Sequence, residues 1–194
     1  MRRLVDDKGR TLEAFLAQYK PGNWPRPSLT ADVIVVTRDR RLLLIKRGNH
    51  PYIDCWALPG GFVNPDETCP AAAVRELREE TGLALPVRPL LLLSAPRRDP
   101  RTRVVSAVYL AEAGSETPRA GDDARAAGWF AVDGEKAAGT VTLSLTGPET
   151  IAASVVCVRG PDGKIDADRS RCDGDLAFDH AAAIAYAWEA QGWL

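Results

Sequence analysis

Apolar residues recur along this chain at two spacings, and each predicts a different element. A nearly continuous apolar run, Ala31 to Thr37 (ADVIVVT), reads as a buried strand. Arg38-Asp39-Arg40 interrupts it before Arg41 to Ile45 (RLLLI), which predicts a hairpin. Leu90 to Ser94, Val104 to Glu112 and Gly128 to Val132 read as further strands, with Val141 to Thr146 and Ile151 to Val158 as two more candidates. Pro161-Asp162-Gly163-Lys164 has the residues of a tight turn. Helical spacing occurs three times. Leu12, Phe15, Leu16 and Tyr19 form a short amphipathic stretch that Pro21-Gly22 ends. Residues 70–81 form a second. Leu176 to Trp193 predicts a closing helix with Ala181, Ile184, Ala185 and Trp188 as its packing stripe.

The second of these helices carries the candidate chemistry. Pro70 suits a first helical turn, Gly82 suits the residue past the end, and Thr68 is a better capping side chain than Cys69. Glu76, Glu79 and Glu80 share one face roughly 100° wide, because residues three and four apart are neighbours on a helix. Ala73, Val74, Leu77 and Thr81 take the adjoining face, the one able to pack. Arg75 lies four residues before Glu79, where it can orient or partly neutralise it. Three like charges on one face repel, and the ordinary reading of such a run is a solvated acidic surface. The preceding Leu58-Pro59-Gly60-Gly61 argues otherwise, since glycine lets backbone turn sharply and bring carbonyl oxygens close to an ion. Hard oxygen donors with access to water suit Mg2+ or Mn2+, and a bound cation would relieve the repulsion.

Composition narrows the setting. A chain of 194 residues, 45% hydrophobic and 26% charged, can bury one core of substantial size. Its formal net charge of -1 offers no global basic field for nucleic acid. Cys55, Cys69, Cys157 and Cys172 show neither a CxxC pair nor metal-ligand spacing, which predicts free thiols in a reducing cytosol. Met1-Arg2-Arg3 is basic, but no apolar signal segment follows and no apolar run approaches membrane-spanning length. A cytoplasmic protein without membrane contact is therefore expected. Residues 1–29 are expected to form an appendage, a short helix followed by the Pro-rich connector NWPRPS. Trp24 in that connector admits two readings, a stacking platform for a base or a side chain that pins the connector to the core. Residues 30–194 are expected to form a single domain, with an extra segment at about 134–173 that carries no motif.

Three polar loops remain. Lys46 to Pro51 follows the hairpin, and His50 within it reads as a loop residue rather than a catalyst. Pro96 to Arg103 (PRRDPRTR) reads either as a solvated basic turn or as an anion-facing loop, since Arg forks match phosphate and ribose oxygens. Arg98 and Arg101 are expected at its surface, where substitutions change stability by no more than about 0.5 kcal/mol. Glu112 to Ala127 carries Asp122 and Asp123.

Gly61, Glu67, Arg75, Glu76, Leu77, Glu79, Glu80, Gly82 and Leu83 fill every fixed position of the pattern G-x5-E-x7-R-E-U-x-E-E-x-G-U, with U apolar. Average residue usage would give that match by chance with a probability on the order of 10^-7. The pattern is the Nudix box, and the chain resembles the Nudix hydrolases. LTADVIVV, LLIKRGNHP, CWALPGGFV, RRDPRTRVVSAVYL and the later LAFDH are similar to the ADP-ribose pyrophosphatase branch of that family.

The resemblance implies an α/β fold, an α/β/α sandwich around a mixed sheet. It also implies a homodimer and a divalent-metal-dependent hydrolase of nucleoside diphosphates linked to another moiety. It places the Gly60 carbonyl, Glu76, Glu79 and Glu80 at the metal, makes Arg75 the group that orients a carboxylate, and has Glu67 tie the loop to the helix. Arg47, Arg98, Asp99 and Arg101 become the substrate-binding candidates. One departure stands out: relatives often carry a glutamate where this chain has Ala126. The general base then falls to Asp122, Asp123 or a helix glutamate, and the catalytic set is Arg75, Glu76, Glu79, Glu80 and Asp123. The expected reaction is hydrolysis of ADP-ribose to AMP and ribose 5-phosphate. Two rivals are another substrate (NADH, a sugar nucleotide or an oxidised nucleoside triphosphate) and a sensor that binds ADP-ribose to regulate transcription. Sensors of that kind carry a DNA-binding winged helix after the domain, whereas one helix follows here and the box keeps all its glutamates, so an enzyme is expected.

Overall fold

The structure is a computed structural model, and it describes residues 5–22, 25–121 and 124–194. Trp24 lies outside the described residues, and with it the choice between stacking and pinning. Helix α1 (Leu12–Gln18) is capped by Thr11, whose hydroxyl accepts from Ala14 N–H, and it buries none of its residues. Strands β1 (Ser28–Thr37) and β2 (Arg41–Arg47) form the expected hairpin. Short strands β3 (Trp56–Ala57) and β4 (Gly60–Phe62) lead into helix α2 (Cys69–Thr81). Strands β5 (Arg88–Leu93), β6 (Val104–Ala113), β7 (Ala124–Ala137), β8 (Thr140–Thr146), β9 (Thr150–Val156) and β10 (Arg171–Gly174) follow, then helix α3 (His180–Ala190).

The ten strands among the described residues join one sheet, in the order β10-β9-β8-β7-β2-β1-β6-β5, with β3 added to β2 and β4 to β1. It is mixed, because β1 runs parallel to β6 while β2 and β7 are antiparallel. Successive residues of a strand face opposite sides, so β1 feeds two cores. Val33 and Val35 pack with Leu43 and Tyr109 against Ala72, Ala73 and Leu77 of α2. Ile34 and Val36 pack with Leu42, Leu44 and Phe130 against Ala181, Ile184, Ala185 and Trp188 of α3. A strand covered on both faces has no reason to alternate, which explains the continuous apolar run. The architecture is the α/β/α sandwich.

The two strand candidates within 134–173 are β8 and β9, and the segment continues the central sheet. Val141, Leu143 and Leu145, with Ile151, Ala153 and Val155, alternate into the α3 core, while Thr142 and Ser144 face outward. Its period of two was visible, but no motif accompanied it. The closing helix begins at His180 rather than near 176, because Leu176 bridges to Trp56 and Ala177 N–H donates to the Trp56 carbonyl at 2.8 Å. All four cysteines are free, and among the described residues no helix is long and apolar enough to cross a membrane.

One irregularity positions the site. β1 and β2 pair only beside their turn, at Val36 and Leu42. Further along, β4 takes over beside β1 (Asp32 with Gly60) and β3 beside β2 (Ile45 with Ala57). The two strands part there, and a cleft of about 380 Å³ opens between them.

Candidate active site

The floor of the cleft is set by α2. Thr68 caps it, its hydroxyl accepting from Ala71 N–H at 3.4 Å, and Gly82 ends it in the left-handed region at φ 73°. Seating Ala72, Ala73 and Leu77 in the core also carries Glu80 inward, to 8% exposure. Gly60 N–H donates to Glu80 Oε2 at 2.9 Å. Only glycine fits at 60: its φ is 156°, and a Cβ would lie 2.4 Å from the Ala31 carbonyl oxygen and 2.5 Å from Asp32 Oδ1. At Gly61 a Cβ would stand 2.4 Å from Glu76 Oε1, so that glycine makes room for a carboxylate.

Arg75 gathers the remaining acids. Its Nε and Nη2 donate to the two oxygens of Glu67 at 3.1 and 2.7 Å, and Nη2 also reaches the Phe62 carbonyl at 3.0 Å. Nη1 donates to Glu76 at 2.7 Å and to Glu79 at 2.9 Å. Glu67 also accepts from Asn64 N–H, and the Arg75 hydrogen bonds hold its carboxyl down at about 2. Burial raises Glu76 instead, and it pushes Glu80 up to about 8, with the charges of Glu76 and Asp32 adding to the effect. Asp32 is buried on β1, accepts from the Ser106 hydroxyl, and is raised by the same desolvation.

The opposite wall is basic. Arg47, Arg98, Asp99 and Arg101 all line the cleft. Arg47 Nε donates to the Pro51 carbonyl at 2.8 Å. Arg101 grips Asp99 with Nε and Nη2 at 3.1 and 2.7 Å, and its guanidinium lies 5.2 Å from the Phe62 ring centre and 5.9 Å from that of Phe178. Arg98 corrects the expectation of a surface residue. Its side chain is 4% exposed, and Nε and Nη2 donate to Asp179 at 2.8 and 2.7 Å. The loop folds inward at that point, so the guanidinium ties it to the start of α3.

Asp122 and Asp123 lie outside the described residues. His50 is exposed in its loop, and Ala126 is half-buried on β7. Sequence reasoning missed Asp32, Ser106, Phe178 and His180, all of which border or support the cleft. A carboxylate inside an otherwise apolar strand is an anomaly and could have singled out Asp32. His180, at the head of an alanine-rich helix, offered a fainter signal.

The NUDIX domain model matches residues 26–142. The chain belongs to the Nudix family. A curated relative, the ADP-ribose pyrophosphatase of Methanocaldococcus jannaschii, is 47% identical over 105 residues, covering 54% of this chain and 62% of the relative. Another, the ADPR responsive transcriptional repressor NtrR of Acinetobacter baylyi, is 39% identical over 105 residues, covering 51% of this chain and 42% of the relative. This Nudix chain therefore spans less than two thirds of the length of either. Among solved structures, a MutT/nudix family protein from Enterococcus faecalis superposes with a TM-score of 0.73 and 34% identity, over 93% of this chain and 69% of that one. The bifunctional NMN adenylyltransferase/ADP ribose pyrophosphatase from Francisella tularensis, complexed with AMP and a Mn ion, gives a TM-score of 0.52 and 34% identity over 57% of this chain and 35% of that one.

Whether a cation fits can be judged from the donors. Among the described residues, no group of three or more His, Cys, Asp or Glu side chains is gathered to hold one as they stand. Arg75 Nη1 bridges Glu76 and Glu79, and Glu80 turns to the Gly60 amide. The chemistry nevertheless suits a hard cation: three carboxylates and the Gly60 backbone border one cleft, and Glu80 is desolvated beside two further acids.

Two outcomes follow from this geometry. Arg98→Ala strands Asp179 without its partner and should lower stability by about 3–5 kcal/mol, whereas Arg101→Ala should change it by no more than about 1 kcal/mol. Denaturant midpoints compare them, and equal midpoints would remove the structural role of Arg98. For Glu80, a folded pKa of about 8 stands above the ordinary 4.5, so its contribution is complete below about 4.5 and is lost as pH rises through about 8. In EDTA, Glu80→Gln should therefore melt higher than wild type at pH 9, by at least the 2–4 °C that about 1 kcal/mol gives in a chain of this size. The gap should close towards pH 5, and identical melting at both pH values would mean that Glu80 is not held desolvated.

Proposed function

We propose that the chain hydrolyses the diphosphate bond of ADP-ribose, releasing AMP and ribose 5-phosphate, with Mg2+ or Mn2+ as cofactor. The observation that carries the reading is the division of one cleft into an acidic wall on α2 and a basic wall on β2 and the 96–103 loop. A diphosphate with a divalent cation needs both, the arginines for its oxygens and the carboxylates for the metal. The identity to the M. jannaschii pyrophosphatase supports the choice of ADP-ribose.

In this reading Glu76, Glu79, Glu80 and the Gly60 carbonyl hold the cation, which when bound neutralises diphosphate charge and acidifies water. Arg75 orients Glu76 and Glu79 through its shared Nη1. Arg47 and Arg101 receive the diphosphate, and Asp99 holds the Arg101 fork in place. Arg98 acts on the substrate wall through Asp179 rather than as a free fork. Glu76, whose carboxyl burial makes more basic, accepts the water proton, or Asp123 does. Assembly as a homodimer belongs to the same proposal. Leu29 and Leu92, 38% and 57% exposed, lie on the α2 side of the sheet and offer apolar surface for a second copy.

The similarity to NtrR favours a second reading, that the domain binds ADP-ribose as a signal without cleaving it. One panel separates the two. With Mg2+ or Mn2+, kcat/KM for ADP-ribose should exceed that for NADH, a sugar nucleotide or any nucleoside triphosphate. A triphosphate that is cleaved faster rejects the substrate assignment, and tight binding of ADP-ribose with no product favours the sensor.

A further inference from the structure

His180 opens α3, yet its ring belongs to the cleft. The residue is 3% exposed and borders the cleft together with Leu58, Arg47 and Arg98. Its Nδ1 accepts a hydrogen bond from Leu58 N–H at 3.0 Å. A ring nitrogen that accepts from an amide carries no proton, so in the neutral imidazole the proton sits on Nε2, which can only donate. The Phe178 ring lies beside the imidazole, with centroids 5.4 Å apart. His180 lines the cleft, so with Nδ1 engaged by Leu58 the polar group its ring can offer there is Nε2–H. Burial lowers the ring's pKa to about 3, against Asp179 and with Arg98 and Arg47, which keeps it neutral at ordinary pH.

We propose that His180 is a substrate-binding residue whose Nε2–H donates to an oxygen of the bound nucleotide. The inference rests on the reading of the cleft as a diphosphate site. It adds a directional donor without another cation, on a wall where Arg47 already lies within the field of Arg101. Through Leu58 N–H the same ring braces the Leu58-Pro59-Gly60 turn, whose Gly60 amide holds Glu80. The competing role is that of a core histidine that only satisfies Leu58 N–H.

Two substitutions separate these roles. His180→Asn keeps an acceptor where Nδ1 stood but loses the reach of Nε2. His180→Gln places an amide donor near Nε2 but leaves Leu58 N–H unpaired. The readouts are melting temperature, KM and kcat for ADP-ribose with Mg2+, and Kd for ADP-ribose and for inorganic pyrophosphate in EDTA. His180→Asn should melt close to wild type, with KM and Kd for ADP-ribose raised about tenfold or more and kcat changed far less, as expected for one lost hydrogen bond to a charged or polar oxygen. His180→Gln should recover affinity but melt lower. Weakened pyrophosphate binding in His180→Asn places the acceptor on a phosphate; unchanged pyrophosphate binding places it on a sugar hydroxyl. A folded His180→Asn with wild-type KM and Kd overturns the proposal and leaves His180 as a tie to Leu58. Should both variants unfold, long-range 1H–15N spectra of the wild-type imidazole decide: the Nε2 resonance must move when ADP-ribose is added, and an unmoved resonance overturns the proposal. Wild-type protein that neither binds nor cleaves ADP-ribose overturns the substrate reading first, and this inference falls with it.

Discussion

Packing α2 against the sheet drives a carboxylate into the protein. Ala72, Ala73 and Leu77 are the side chains that fit against Val33 and Val35, and Glu80 lies three residues beyond Leu77 on the same side of the helix. A buried acid needs a donor, and the one supplied is the Gly60 amide. That contact dictates the rest of the turn. Residue 60 must be glycine, because the backbone of β1 and the Asp32 carboxylate occupy the space of any Cβ. Leu58 is then held by His180, and β4 is held against β1. The cleft exists because this turn wedges between strands that would otherwise stay paired.

Charge in the cleft is sorted by elements far apart in the chain. The acidic side comes from a single helix and is organised by Arg75, which touches three glutamates at once. The basic side is assembled from β2, the 96–103 loop and the start of α3. Arg98 and Asp179 join the last two and are 81 residues apart. A pair this buried contributes little net stability compared with an apolar pair, but losing one member leaves an unpaired charge. It therefore fixes where the loop must lie. β8 to β10 extend the sheet and give α3 enough apolar surface to dock, which in turn delivers Phe178 and His180 to the cleft and Asp179 to Arg98.

The spacing of residues 61–83 was sufficient to identify the family, the carboxylate helix with its Thr68 cap and Gly82 stop, and the pairing of Arg75 with Glu79. Each of these depends on residues within about two turns of one another, where helix geometry alone sets who meets whom. The continuous apolar run of residues 31–37 likewise announced β1 as a buried strand, with residues 41–45 as its hairpin partner. Tertiary structure alone decided that Arg98 is buried on Asp179, that Asp32 and Glu80 share a desolvated floor, that residues 134–173 extend the central sheet, and that His180 borders the cleft while holding Leu58. Those features join segments as far as 122 residues apart. Whether such a group is solvated, paired or left facing a cavity depends on what packs over it, and no local spacing records that.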